Sequence, residues 1–190
     1  MNSESSIPLS KEWTFYAHKE CNGTESYNTS FKKIGTAQTM QEWGAYMYHI
    51  PSVEILTSAE KAICVDGERI VSYSMFSDNI LPSWEDNSNT NGKEWSCKME
   101  KTDPRKINAL WRYLCADCVL ENINANGIRI TKKEYFVKVE IWMNEFHDEY
   151  KVYEQIVESI KSFVDDNLVF SLFYHSHYFV TPSIRKRKKR

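Results

Sequence analysis

The sequence predicts an α+β fold: an open, mostly antiparallel sheet with three helices packed on one face, which leaves the other face for a ligand. Three observations carry this prediction. Apolar and polar residues alternate with period two in several short stretches, some joined by tight turns, as half-buried antiparallel strands require. Three longer stretches carry apolar residues at i, i+3, i+4 and i+7, each interposed between strand stretches. No internal repeat or linker divides the 190 residues, which suffice for one real core.

Taken in order, Trp13 to His18 reads as a strand preceded by Pro8-Leu9, and Phe31 to Ile34 as a second, after a polar loop ending at Tyr27. Thr39-Met40-Gln41-Glu42 is a capping box, in which Thr and Glu satisfy each other's open backbone N–H groups. The helix it starts has the stripe Trp43, Tyr46, Met47, Ile50, and Pro51 ends it. Ile63-Cys64-Val65, Asp66-Gly67 and Arg69-Ile70-Val71 have the turn chemistry of a hairpin whose second strand continues through Ser72 to Phe76. Glu94 to Glu100 alternates, with Trp95, Cys97 and Met99 on one side. Asp103-Pro104 caps a helix running to about Asn122, with Ile107, Leu110, Trp111, Leu114, Cys115, Cys118 and Val119 on its buried stripe. Ile128 to Lys133 and Phe136 to Trp142 form a hairpin, and in its second strand Lys138, Glu140 and Trp142 share one face. Asp148 caps a third helix with the stripe Val152, Tyr153, Ile156, Val157, Ile160 and Phe163, and Leu168 to His175 is a last strand.

Composition, 42% apolar and 26% charged, is that of a soluble globular protein. No apolar run is long enough to span a bilayer and Met1 to Ser10 has no apolar signal core, so the expected location is the cytoplasm, with the nucleus as a second possibility. Five cysteines and no secretory signal argue against disulfides. The net charge of −2 hides an asymmetry: residues 185–190 hold 6 of the 24 basic residues, leaving 18 against 26 acidic, or −8, over 1–184. A body that acidic lacks the phosphate-neutralising surface of a general nucleic-acid binder, so any RNA recognition must grip one local feature.

Pro82-Ser83-Trp84-Glu85-Asp86, followed by Asn89, Gly92 and Trp95, joins two binding tools in one loop. The indole offers a π face for stacking on a base or attracting a cation, and the neighbouring carboxylate can accept two parallel N–H bonds. Guanine methylated at N7 wants both: it is a cationic ring whose N1–H and N2–H₂ donors lie side by side.

Ser74-Met75-Phe76 through Ile80, then Pro82, Trp84-Glu85-Asp86, Asn89, Gly92 and Trp95, resembles the central block of the mRNA cap-binding translation initiation factor 4E family. Pro8-Leu9 with Trp13, Thr39 with His49-Ile50, Trp111, Ile141-Trp142 and Ser176-His177 extend the resemblance in order over about residues 7–177. It implies one cap-binding domain over 1–184, with about 54–70 an inserted hairpin-like segment and 185–190 a basic tail. It implies a curved sheet with the helices on its convex face and the pocket on its concave face, and Trp84 as one wall of an aromatic sandwich around the base with Tyr27 the other, Tyr16 and His18 being the alternative rings. Glu85 would take N1–H and N2–H₂, Trp142 would touch the N7-methyl group, and Lys133 and Lys138 would hold the triphosphate. Glu94 stands where the family commonly has an Arg, and Tyr135 replaces another basic residue, so the expected phosphate grip is weaker unless Lys132 or the basic tail compensates.

The partner-binding dorsal surface departs further. The resemblance assigns it Pro8, Leu9, Met40, Gly44 and Arg112. Gly44 takes the place of an exposed Trp that receives a partner helix, while Trp43 falls in the buried slot; Arg112 replaces an apolar residue. A one-residue shift, aligning Trp43-Gly44-Ala45-Tyr46 with the family's Trp-x-x-Tyr, is the alternative. The expected partners are capped mRNA and either a 4G-like scaffold or a 4E-binding regulatory protein, with the chain itself monomeric. The expected activity is cap binding that recruits the initiation machinery, or, given Gly44 and Arg112, cap-binding repression or storage. Enzymatic action on caps would need a metal-binding acidic cluster or a nucleophile–base pair, and none accompanies Trp84. Cys115 and Cys118 lie on one apolar stripe without a second pair, and His175 and His177 lack a third ligand, so no metal or cofactor is expected.

Overall fold

A computed structural model describes residues 6–20, 30–53, 56, 64–65, 67–100 and 103–160 and the backbone of 170–176, the side chains of Val65 and Glu100 excepted. Tyr27, Phe163, His177 and the basic tail lie outside the described residues, as does most of the 54–70 segment. Among the described residues the main elements, in chain order, are β1 (Pro8–Lys19), β2 (Phe31–Thr39), α1 (Met40–His49), β3 (Cys64–Val65), β4 (Glu68–Ser77), β5 (Lys93–Glu100), α2 (Pro104–Val119), β6 (Gly127–Lys132), β7 (Phe136–Met143), α3 (Glu149–Ile160) and β8 (Phe170–Ser176). Their order across the sheet is β2-β1-β4-β6-β7-β5-β8, with β3 paired to the start of β4, and every pairing is antiparallel.

The local signals act as expected at the helix starts. Thr39 accepts from the Glu42 backbone N–H, and the Glu42 carboxylate accepts from Thr39 and Gln38. Asp103 caps α2 through Arg105 N–H with Pro104 at the first helical position, and Asp148 accepts from Tyr150 and Lys151 at the start of α3. In the β3–β4 turn Gly67 takes φ +81°, a conformation open to glycine without cost. One sequence-based bound and one stripe assignment change. The second strand runs five residues past Ile34 to Thr39, where pairing with β1 overrides its weak alternation. Tyr153 of α3 is more exposed than a stripe residue, because it lies over Trp95 rather than inside the core.

The pleat sorts the sheet residues into two faces. Trp13 and Phe15 (β1), Tyr73 and Met75 (β4), Ile128 and Ile130 (β6), Val137, Val139 and Ile141 (β7) and Cys97 and Met99 (β5) meet the helices in one core. Ile107, Leu110, Trp111 and Leu114 come from α2, Val152 and Ile156 from α3, and Met47 from α1. Cys115 and Cys118 are free and buried there, and burial raises both thiols far above their ordinary range. Among the described residues no helix is long and apolar enough to cross a membrane.

The helix-free face carries three rows of side chains, read across the hydrogen-bonded registers. The first is Thr14, Phe76, Gly127, Trp142 and Glu94; the second is Tyr16, Ser74, Arg129, Glu140 and Ser96; the third is Ser72, Thr131, Lys138 and Lys98, with His18 beside Ser72. The main core faces the helices, so the aromatic cluster of Tyr16, Phe76 and Trp142 and the charges of Arg129, Glu140 and Lys138 on the other side are not needed to seat a helix.

Candidate functional site

At one end of this face lies an aromatic cluster. Phe76 and Trp142 flank Gly127 in the first row and meet edge to face, with ring centroids 5.2 Å apart and planes at 88°. Glycine is required between them, since a Cβ at 127 would fall 2.3 Å from the Phe76 ring. Trp84 lies flat over Trp142, centroids 3.4 Å apart and planes within 6°. The Arg129 guanidinium lies 5.1 Å from the Trp142 ring, a cation–π contact. Tyr16 and Phe31 form a second edge-to-face pair, 5.6 Å between centroids, in the same cluster.

Trp84 is delivered by the loop between β4 and β5, which is fastened from within. The buried Asn89 amide donates to the carbonyls of Leu81 and Ser83, each at 2.9 Å, and its oxygen accepts from Asn126 at 3.1 Å. Asn126 also donates to the Ser88 carbonyl at 2.7 Å, while its own backbone N–H reaches the Trp142 carbonyl at 2.8 Å. Asp86 accepts from the backbone N–H groups of Leu81 and Ser88, both at 2.9 Å. Asp78, Asn79 and Asn91 take the left-handed φ of 52°, 61° and 62° at the loop's ends, which their side chains tolerate better than most. Glu85 is exposed beside Trp84, and the Ser83 hydroxyl donates to its carboxylate.

Next to the aromatic cluster runs a chain of charges. Arg129 Nε donates to Glu140 at 2.5 Å; Lys138 Nζ lies 2.6 Å from Glu140 and 2.7 Å from Glu94. Burial pushes the Glu140 carboxyl up, but Arg129 and Lys138 outweigh it and hold the group at about 2. Glu94, 4% exposed, goes the other way: burial, then the charge of Glu140, raises it to about 7 against the pull of Lys138. His18 Nε2 meets Ser74 Oγ at 2.7 Å, and burial plus the Arg129 charge lowers it to about 3, so it is neutral.

The structure thus brings Trp84, with Glu85 beside it, onto Trp142 at the aromatic end, while Lys138 reaches toward that end from the third row, to Glu94 beside Trp142. Lys133 sits in the β6–β7 turn, exposed. Lys132 does not join them: it pairs with the core residue Val137 in register, so the pleat gives it the opposite parity to Lys138. Trp142 is fully buried beneath Trp84, not open to a ligand as an aromatic contact requires. Sequence reasoning placed Ser83 in the Trp84 loop, Glu140 on the face of Lys138 and Trp142, and Tyr16 among the alternative rings, but it missed Phe31 and Arg129 as neighbours of the site. Strand register supplies both: Phe31 pairs with His18, and Arg129 with Glu140, on the helix-free face. Among the described residues no group of three His, Cys, Asp or Glu side chains is arranged to hold a metal ion.

On the helical side Trp43 is half-buried and packs against the core, while Gly44 is exposed with open space where its Cβ would be. This favours the unshifted alignment. Leu9 and Met40 also rest on the core, and Pro8 is exposed. Arg112 of α2 donates from its guanidinium to the Met47 carbonyl of α1 at 2.5 Å, satisfying one of the open carbonyls of that helix's last turn.

Comparison with known proteins agrees with this architecture. Among curated sequences, eukaryotic translation initiation factor 4E of Candida albicans is 26% identical over 144 residues, covering 71% of this chain and 63% of that protein. Initiation factor 4E-1 of Caenorhabditis elegans is 27% identical over 150 residues, 75% and 64% of the two chains. The chain therefore spans somewhat under two thirds of the length of these relatives. The fold matches Ascaris suum eIF4E-3 crystallised with the m7G cap, TM-score 0.71, 18% identity, covering 93% of this chain and 94% of that one. It also matches C. elegans eIF4E-3 in complex with the 4E-binding protein Mextli, TM-score 0.70, 19% identity, covering 91% and 94%. The sequence pattern of the family described as Eukaryotic initiation factor 4E matches residues 8–189, nearly the whole chain, and the protein belongs to that family.

Proposed function

We propose that this protein binds the 7-methylguanosine cap of mRNA on the concave face and recruits translation initiation machinery through its helical side. The observation that carries the reading is the Trp84–Glu85 pair: an indole stacked at 3.4 Å over a second indole, with an exposed carboxylate beside it held by Ser83. In the Ascaris structure the bound ligand is an m7G cap, and a schistosome eIF4E of similar fold, TM-score 0.68, carries m7GpppA together with 4E-BP.

The mechanism follows from charge and geometry. The methylated purine is cationic, so each indole face attracts it more than it attracts guanine. A ring about 3.4 Å thick cannot enter a stack already closed to that spacing, so Trp84 swings off Trp142 to admit it. Trp84 and Tyr27 then clasp the base, Glu85 takes its N1–H and N2–H₂ donors, and Trp142, uncovered, meets the N7-methyl group. Lys138 and Lys133 face the phosphates, with Lys132 a lesser candidate given its parity. The work is binding without turnover, in the cytoplasm, by a single domain over 1–184 with a basic tail. Fluorescence titration with 7-methyl-GTP and GTP tests it: tight, methyl-dependent quenching is expected, and equal affinity for the two would end the reading.

Gly44 and the Arg112–Met47 bond favour a second reading, a cap-binding repressor or storage factor that does not engage the usual 4G-like scaffold. A scaffold-peptide pull-down separates the two, with capture supporting recruitment.

A further inference from the structure

Lys138 is the cation nearest the aromatic end of the concave face for which the binding reading needs a use, yet it is already held. Its ammonium reaches diagonally from the third row to Glu94, the register neighbour of Trp142, at 2.7 Å, and to Glu140 at 2.6 Å. Glu140 in turn holds Arg129 at 2.5 Å. Two cations and two carboxylates therefore close on themselves beside Trp142. Both acids are nearly fully buried, with Glu94 at 4% and Glu140 at 2% exposure, so the pairs are poorly screened by solvent.

The two carboxylates have different tasks. Glu140 lies between Arg129 and Lys138 and is needed by both. Glu94 touches Lys138 alone among these cations and stands one cross-strand step from Trp142, where a phosphate chain leaving a stacked purine would pass. From these contacts we propose that Glu94 is a built-in competitor for the cap's phosphate chain, a specificity residue that makes the site respond weakly to phosphate number. It depends on the cap-binding reading of the same face. The incoming phosphates must take Lys138 from Glu94, so their Coulombic gain is largely cancelled, and affinity comes from the base.

A second consequence concerns pH. Protonating Glu94, whose carboxyl sits at about 7, frees Lys138 for the phosphates, so phosphate-dependent affinity rises as pH falls from about 8 to about 6. The groups around Glu94 are Lys138, Glu140 and Trp142 from β7, Arg129 from β6 through Glu140, Lys98 on its own strand, and His175 at the register position opposite on β8. The Glu94→Gln chain separates its titration from that of His175.

The test is titration of the full chain with 7-methylguanosine mono-, di- and triphosphate at about pH 8 and about 0.15 M salt, with GTP as reference. In the parent chain the triphosphate is expected to bind no more than about fivefold tighter than the monophosphate, the residue of one largely cancelled charge. In Glu94→Gln the ratio widens by about tenfold, and in the double variant Glu94→Gln/Lys138→Met that gain disappears. In the unmutated chain the affinity ratio of a capped dinucleotide, whose phosphates have no second proton to gain, to 7-methylguanosine, which carries the same titrating base and no phosphate, widens several-fold from about pH 8 to about pH 6. That pH readout stands even where the variant folds poorly. An unchanged ratio in Glu94→Gln, or a gain surviving in the double variant, overturns the competitor role and leaves the cap reading standing. Loss of methyl-dependent binding in every chain, the parent included, removes the cap reading and this proposal together.

Discussion

On the concave side, Trp84 and Glu85 ride on a loop in which Asn89, Asp86, Asn126 and Ser83 fix one backbone group after another. On the helical side, α1 offers bare backbone at Gly44, and Arg112 of α2 is spent on the Met47 carbonyl instead of facing outward. Both regions rest on the same sheet and core. Their difference teaches that the two candidate surfaces differ in tolerance: the loop is held by buried polar contacts that punish change, whereas the helical side presents an exposed position that tolerates it.

Four variants and one pH profile break or sharpen that contrast. Trp84→Ala has the largest expected effect, weakening cap binding by roughly 5- to 150-fold, as loss of about 1–3 kcal/mol of stacking implies. Unchanged titration curves would detach the loop from function. Asn89→Ala comes next. It strands the carbonyls of Leu81 and Ser83 in a buried site and is expected to cost about 2–4 kcal/mol in denaturant unfolding, with weakened binding as the loop loosens.

Arg112→Met is expected to cost about 1.5–3 kcal/mol by leaving the Met47 carbonyl without its charged donor. If it instead raises capture of a 4G-like peptide, the surface was only masked. The buried carboxylates of the concave face give stability two opposed pH dependences, both at or below neutrality. Glu140 lies below its unfolded value, so its contribution is present above about 4.5 and is lost as pH falls toward 2. Glu94 lies above its unfolded value, so its contribution is fully present below about 4.5 and is lost as pH rises to about 7, with no further loss beyond. Thermal melts of Glu94→Gln should lose the decline between about 4.5 and about 7 and keep the acid one. Gly44→Ala, the smallest, should stabilise by about 0.5–1 kcal/mol, because a mid-helix glycine gains helix propensity where the added methyl meets nothing.

Much of this was readable beforehand, for local reasons. Thr39 with Glu42 and Asp103 with Pro104 announce helix starts because capping depends on residues three apart or fewer. Alternation put Lys138, Glu140 and Trp142 on one face because the strand period is two. Lys132 shows the limit: clustering with Lys133 suggested a shared role, but strand parity gives the two different surroundings. Phe31 gave no signal as a site neighbour, since its place beside Tyr16 and His18 is set by a strand pairing that no local spacing fixes.

By itself the sequence determined the family, the strand and helix periods, and the placing of an indole beside a carboxylate at positions 84 and 85, all properties carried by the order of residues along the chain. Tertiary structure alone decided that Trp84 closes over Trp142, that Lys138 is bound by Glu94 and Glu140, and that Arg112 turns back to α1. Each of those is a choice among partners that a linear pattern leaves equal. It is made by which side chains the folded sheet and helices bring within a few ångströms of one another, away from competing water.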